Sequence, residues 1–102
     1  MNKGDLVDRI ADRAGIRRAD AAAALDATLH AIQEALRKGE KVTLVNFGTL
    51  TAAYRAPRRG FNPSNKDPVA IGEKVIVKFK AGKLLSDAIN NPELLQQLKD
   101  VR

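Results

Sequence analysis

Residues 55–72, with the sequence RAPRRGFNPSNKDPVAIG, constrain the fold more than any other part of the chain. They include three prolines and two glycines, but only Phe61, Val69 and Ile71 as large apolar side chains. Such a segment cannot pack a core of its own, and a long structureless loop is uncommon inside a compact domain. We therefore expect a β-hairpin arm that turns at residues 62–66. Because proline cannot donate to a sheet, its prolines predict exposed edges and strand ends.

The sequence on both sides of this segment has the two-residue alternation that is typical of β-strands. KVTLVNF (41–47), LTAAYR (50–55) and EKVIVKF (73–79) predict three strands. In the last of these, alternation places Val75, Val77 and Phe79 on one face and Ile76 and Lys78 on the other. We expect Gly48 to form a tight turn or bulge between the first two strands.

The first forty residues have a helical period instead. Asn2 is a candidate N-cap with Asp5 three residues later, and Gly15 predicts a left-handed end to the first helix. An alanine-rich second helix ends at Gly39, and its start lacks a good cap because Arg17 and Arg18 stand there. Near the other end, residues 81–90 return to a helical pattern, and Asn91-Pro92-Glu93 predicts a further short helix over residues 92–100.

Length and composition exclude several classes of protein. The chain has 102 residues, no Cys and one His, which fits one small domain without disulfides or a thiolate nucleophile. His30 alone cannot build a typical zinc site, so we expect no metal and no other cofactor. Asp8, Asp12 and Glu34 have no partner histidine or glycine-rich phosphate loop, so an enzyme is the weakest hypothesis. No apolar run approaches a membrane span and none follows Met1, so we expect a cytosolic protein without a membrane partner.

The positive charge is confined to the middle of the chain. Residues 1–40 hold seven basic and seven acidic side chains, whereas residues 41–83 hold nine basic and two acidic. The whole excess of +6 thus arises in the strands and the arm. This segregation favours a face that binds a polyanion, although basic segments also occur in proteins that bind none.

The order of elements and several local strings resemble the HU and integration host factor family of bacterial DNA-bending proteins, and HU in particular. The matching strings are MNK at 1–3, Asn46-Phe47-Gly48-Thr49, Arg55-Ala56, Arg58, Gly60, Asn62-Pro63 and Phe79-Lys80-x-Gly82-Lys83. The resemblance covers residues 1–90, with the arm at about 55–72, and leaves 91–102 as a C-terminal extension. The fold it implies is α+β: an N-terminal helical hairpin, a three-stranded antiparallel sheet with a long β-ribbon arm and a C-terminal helix, in an intertwined dimer.

Dimerisation is also expected from size. A chain this short, without its arm, would bury only about 60% of its unfolded surface. A shared core would enlarge that fraction by pooling apolar side chains of two subunits: Leu29, Ile32, Leu44, Phe47, Leu50 and Phe79. The resemblance allows a homodimer or a heterodimer with a paralogue.

What the resemblance implies is a histone-like, nucleoid-associated protein that binds double-stranded DNA with little sequence specificity and bends or compacts it. The arms would enter the minor groove, where Pro63 would wedge into a base step. Nicked, gapped or distorted DNA costs less to bend and should be preferred. The candidate DNA-binding residues are Lys3, Arg55, Arg58, Arg59, Phe61, Asn62, Pro63, Lys66, Lys74, Lys78, Lys80 and Lys83.

The chain departs from the family pattern at several positions. Asn46 stands where the family usually has Gly, and Phe61 stands where it usually has Arg, as a second wedge or as a residue that packs across the arm. Ile76-Val77 replaces a usual Val-Pro pair, and we expect Leu94, Leu95 and Leu98 of the extension to dock on the body. Two alternatives stay open, a sequence-preferring protein of the integration host factor type and a basic RNA-binding protein.

Overall fold

The computed structural model describes residues 1–61 and 68–100, which divide into two compact units at Lys38 and Gly39. The N-terminal unit is helical, and the second unit contains the strands and two short helices. In chain order the elements are α1 (Lys3–Ala14), α2 (Arg18–Arg37), β1 (Val42–Leu44), β2 (Gly48–Arg55), β3 (Arg58–Phe61), β4 (Pro68–Ile71), β5 (Lys74–Ala81), α3 (Lys83–Ile89) and α4 (Pro92–Asp100). The predicted α+β class, with a helical hairpin before a three-stranded sheet, is confirmed.

The two N-terminal helices begin differently. A capping box closes the start of α1: the Asn2 side chain accepts from the Asp5 amide at 2.9 Å, and the Asp5 carboxylate accepts from the Asn2 amide at 3.1 Å. Gly15 ends α1 with a φ of 68°, as predicted. The first residue before α2, Arg17, makes no capping bond with its side chain, also as predicted.

Small side chains form the core of the helical unit. Val7, Ala11 and Ala21 are its buried apolar residues, with Ile10, Ala22 and Leu25 packed around them. Two ion pairs of 2.6 Å join the helices, Lys3 to Asp26 and Arg18 to Asp8. Because alanine dominates this core, apolar burial inside the unit is limited.

The main sheet has the order β1-β2-β5, and both pairings are antiparallel. Its longest pairing runs from Gly48 opposite Ala81 to Arg55 opposite Lys74. The predicted alternation along β5 is confirmed by this register, with Ile76 and Lys78 on the face opposite Val75, Val77 and Phe79.

The first strand is shorter than predicted. The alternation in residues 41–47 predicted one strand, but β1 ends at Leu44 and a turn follows, in which the Phe47 amide donates to the Leu44 carbonyl at 2.9 Å. Asn46 adopts a φ of 70°, which interrupts the strand. The turn therefore lies at residues 45–47, and the expectation of a turn or bulge at Gly48 is wrong because Gly48 is the first residue of β2.

The described backbone of the predicted arm is a two-stranded antiparallel ribbon. Arg58 pairs with Ile71 at its base and Phe61 with Pro68 at its far end. Pro68 is the first residue of its strand, and Pro57 lies in the break between β2 and β3, which are the positions that a proline without an amide hydrogen tolerates. The predicted tip, residues 62–66, lies outside the described residues.

Two short helices follow the sheet. The Gly82 amide donates to the Phe47 carbonyl at 2.8 Å, and α3 begins at the next residue. Asn91 caps α4, since its side chain accepts from the Leu94 amide at 2.8 Å. Across residues 1–61 and 68–100, none of the helices combines the length and hydropathy that a membrane crossing requires.

Candidate nucleic-acid interface

One face of the β2–β5 pair concentrates the positive charge of the sheet. Lys74, Lys78 and Lys80 are separated by even numbers of residues, so their side chains leave β5 on the same side. The register adds the residues of β2 that lie opposite or alongside them. We call this surface the cationic face, and it consists of Thr49, Thr51, Arg55, Lys74, Lys78 and Lys80.

A shallow depression of about 520 Å³ lies at one end of the cationic face. Its lining residues are Lys41, Thr49, Thr51, Lys78, Phe79 and Lys80. Ammonium groups and threonine hydroxyls both donate hydrogen bonds to phosphate oxygens. The depression thus offers donors and positive charge without any carboxylate among its lining residues.

Four residues of this depression were not candidates in the sequence: Lys41, Thr49, Thr51 and Phe79, whose ring packs with Phe47 on the opposite face. Each threonine lies directly opposite a lysine, Thr49 opposite Lys80 and Thr51 opposite Lys78. The threonines could have been identified only from the strand register, because the register shows which residues lie beside each lysine. Without a known register, an isolated threonine in a strand carries no such information.

Two like charges face each other at the other end of the cationic face. Arg55 lies directly opposite Lys74, an arrangement that destabilises a sheet unless a counter-charge is present. The Nε atom of Arg55 is buried and has no hydrogen-bond partner in the part of the chain that the structure describes. An anion bound beside these two side chains would reduce the repulsion.

The opposite face of the same two strands is apolar. Phe47 and Phe79 pack there with ring centroids 5.7 Å apart and planes tilted by 55°. Tyr54 lies opposite Val75, and its hydroxyl donates to the Glu73 carboxylate at 2.8 Å. This hydrogen bond, with a smaller effect of desolvation, raises the pKa of Tyr54 above its ordinary 10.0. Glu73 therefore binds Tyr54 at the apolar face rather than neutralising the lysines.

The remaining predicted residues lie elsewhere or are undescribed. Arg58, Arg59 and Phe61 belong to β3, whereas Asn62, Pro63 and Lys66 lie outside the described residues. Lys3 pairs with Asp26 in the helical unit, and Lys83 pairs with Asp87 at 2.9 Å within α3. Of the predicted set, the sheet thus brings together Arg55, Lys74, Lys78 and Lys80. Within the described ranges, no His, Asp and Glu side chains are grouped as metal ligands.

Known proteins with the same pattern are bacterial DNA-binding proteins. A sequence model of the family described as "Bacterial DNA-binding protein" matches residues 1–90. DNA-binding protein HU-beta of Neisseria meningitidis is 47% identical over 89 residues, which are 87% of this chain and 100% of the relative. DNA-binding protein HU of Thermotoga maritima is 43% identical over 89 residues, 87% of this chain and 99% of the relative.

Solved structures agree with the sequence relatives. A cocrystal structure of Anabaena HU with DNA superposes with a TM-score of 0.82 at 40% identity, over 90% of this chain and 100% of that one. HU from Thermotoga maritima superposes with a TM-score of 0.64 at 36% identity, over 88% of this chain and 100% of that one. On the match over residues 1–90 and these identities, the chain belongs to the HU family of bacterial DNA-binding proteins.

Proposed function

We propose that this chain is a histone-like architectural protein that binds double-stranded DNA with little sequence specificity and bends or compacts it. The observation that carries the proposal is the cationic face, where Arg55 and three lysines project from two strands that contain no Asp or Glu. Lysines that neutralise phosphates release counterions, which gives affinity without reading bases. The family match and the Anabaena HU–DNA complex support duplex DNA as the polyanion.

The β3–β4 ribbon would serve as the minor-groove arm. Arg58 and Arg59 lie in its first strand, and the residues between its strands include Asn62, Pro63 and Lys66. A rigid, apolar proline in a base step unstacks it and kinks the duplex. DNA that is nicked, gapped or already distorted needs less energy to bend, so we infer a preference for such forms. Lys3 and Lys83 would contact flanking phosphates, in competition with their carboxylate partners Asp26 and Asp87.

The working form would be a dimer, either of identical chains or with a paralogue. Phe47 and Phe79 are 50% and 47% exposed in the single chain, although they pack on each other. Exposed aromatic side chains that lie together in one apolar face favour a protein interface there. A second chain would cover them and place two ribbons on one duplex. A DNA-compacting protein of this kind would act in the cytoplasm, on the nucleoid.

Salt dependence tests the role of the cationic face. Lys78→Ala and Lys80→Ala should each weaken binding to unrelated duplexes by the same factor and reduce the slope of log K against log salt by about 0.9 for each substituted subunit. Lys38→Ala, at the end of α2, removes an equal charge outside the face and serves as the control. Titrations at several salt concentrations measure both quantities. Failure to bind duplex DNA at low salt, or equal effects of all three variants, would contradict the proposal.

Bending is tested separately from binding. Pro63→Ala should reduce the bend angle, measured by energy transfer between the ends of a gapped duplex, more than it reduces affinity. Equal losses in bend angle and affinity would argue against Pro63 as a wedge.

Strong discrimination between duplex sequences at fixed salt would favour the integration host factor type instead. Tighter binding to an A-form RNA duplex would favour an RNA-binding protein.

A further inference from the structure

A patch of the apolar sheet face remains uncovered near the base of the ribbon. It consists of Tyr54, Val75 and Val77, which are 66%, 73% and 60% exposed, and we call it the sheet patch. Tyr54 and Val75 are direct cross-strand neighbours, so the patch is continuous. Glu73 supplies a carboxylate at its rim, where it accepts the hydrogen bond from Tyr54.

A second uncovered apolar surface lies on the C-terminal helices. A groove of about 390 Å³ between α3 and α4 is lined by Ile89, Leu94, Leu95 and Leu98, together with Ser86, Asn90 and Asn91. The expectation that these leucines dock on the body is not met by two of them within the single chain, because Leu95 and Leu98 are 57% and 60% exposed. Lys99 lies in the last turn of the same helix, four residues after Leu95. We call the three leucines of α4, with Lys99, the helix patch.

The helix patch belongs to the part of the chain that the family does not share. The family match ends at residue 90, and α4 begins at Pro92. A nine-residue helix is marginally stable in water, and its stability has to come from packing of its apolar side. A surface that covers Leu95 and Leu98 would therefore stabilise α4.

The two patches are complementary in chemistry. Each is apolar at its centre, and among the described residues each has a charged neighbour of opposite sign: Glu73 beside the sheet patch and Lys99 on the helix of the helix patch. Among the described residues, neither Glu73 nor Lys99 forms an ion pair within its own chain. Both patches are exposed in the same chain, so they do not cover each other intramolecularly.

We propose that α4 of one chain covers the sheet patch of a second copy, with Lys99 beside Glu73 of that copy. In a two-fold dimer the contact occurs twice, since each chain offers both surfaces. This contact of α4 would add to the dimer contact at Phe47 and Phe79. This inference rests on the dimer of the proposed function but not on DNA binding.

Engineered disulfides test the contact, because the chain contains no cysteine. Val75→Cys and Leu98→Cys chains, co-expressed and then oxidised, should form a covalent heterodimer that neither variant forms alone. Gln96→Cys lies about 160° away from Leu98 around α4 and replaces Leu98→Cys in the control, where little cross-linking is expected. A cross-link formed only within a Val75→Cys/Leu98→Cys double-variant chain would overturn the proposal, as would Leu98→Cys chains joining each other or no cross-link at all.

Charge reversal gives an independent readout. Glu73→Lys and Lys99→Glu should each lower the melting temperature of the dimer at low salt, and the double variant should recover part of the loss. Strictly additive losses would overturn the proposal.

DNA titrations and sedimentation of the same variants separate this inference from the proposed function. A dimer that binds DNA but gives no cross-link contradicts only the proposed contact between α4 and the sheet patch. A cross-linked dimer that ignores DNA contradicts the proposed function alone.

Discussion

At Gly48 the backbone of β2 passes so close to its neighbours that no side chain fits. A Cβ atom built there would lie 2.5 Å from Cζ of Phe79 and 2.8 Å from the Lys80 carbonyl oxygen. The second of these is a backbone atom of the paired strand, which cannot rotate away as a side chain can. The glycine thus allows Phe79 to lie across the start of β2 and reach Phe47.

Gly48→Ala should therefore destabilise the protein. We expect a loss of about 1–3 kcal/mol in the free energy of unfolding, as for other overpacked sites. Gly72→Ala is the matched control, because a Cβ at Gly72 meets nothing within 4 Å. Urea unfolding followed by circular dichroism measures both variants, and equal midpoints would contradict the packing argument.

The ionisation of Tyr54 can be followed by absorbance without overlap, because Tyr54 is the only tyrosine of the chain. The bond to Glu73 raises the pKa of Tyr54 above 10.0, so the folded state retains the proton longer than the unfolded state. Its contribution to stability is complete below pH 10 and is lost as the pH rises through the folded pKa.

Glu73→Gln should lower the pKa of Tyr54 towards its ordinary value, because the charged acceptor is gone. Tyrosinate absorbance followed during an alkaline titration measures this shift. Glu40→Gln removes the same charge elsewhere and should leave the titration unchanged. A titration of Glu73→Gln that coincides with that of the parent chain would exclude the hydrogen bond as the cause.

At the scale of elements, the two N-terminal helices differ in whether a side chain hydrogen-bonds to the free backbone amides of the first turn. The capping box of α1 binds two backbone amides, whereas Arg17 before α2 contributes only an exposed ion pair with Asp20. The extended backbone of Arg17, with φ −67° and ψ 151°, is already that of an N-cap. A residue with a short side-chain oxygen could therefore cap α2 without moving the chain.

Arg17→Ser should stabilise the protein by about 0.5–2 kcal/mol through the new cap, less about 0.2–1 kcal/mol for the lost ion pair. Asn2→Ala is the opposite change and should cost about 1 kcal/mol. Thermal unfolding of both variants against the parent chain measures the difference. A lower melting temperature for Arg17→Ser would mean that the ion pair with Asp20 matters more than the cap.

The helices could be predicted almost to the residue, because capping and helical periodicity are local properties. The end of β1 could not be predicted in this way. Residues 45–47 continue the alternation of a strand, yet Asn46 takes the left-handed conformation that ends it. Asparagine tolerates both conformations, so only the pairing of Gly48 with Leu44 decides where β1 stops.

At the scale of the whole molecule, the buried core is small for a stable protein. Within the described residues, the buried apolar side chains are Val7, Ala11 and Ala21, and no larger side chain is fully buried. Association with a second chain would supply the missing apolar burial. Folding and dimerisation should then occur together.

The stability of such a dimer depends on protein concentration. A tenfold increase should raise the apparent free energy of unfolding by about 1.4 kcal/mol, because dissociation accompanies unfolding. Urea unfolding at several concentrations, with sedimentation of the native protein, measures this dependence. A midpoint that does not change with concentration would contradict a dimer that folds as one unit.

The sequence alone determined the helices, the ribbon and the location of the positive charge. Periodicity, capping and composition depend only on residues that are close together in the chain. Only the tertiary structure decided which residues share a face. Lys78 meets Thr51 and Lys74 meets Arg55 through a register that joins positions about 20–30 residues apart. A register shifted by one residue would reverse the two faces, and no local pattern fixes it across a long connection.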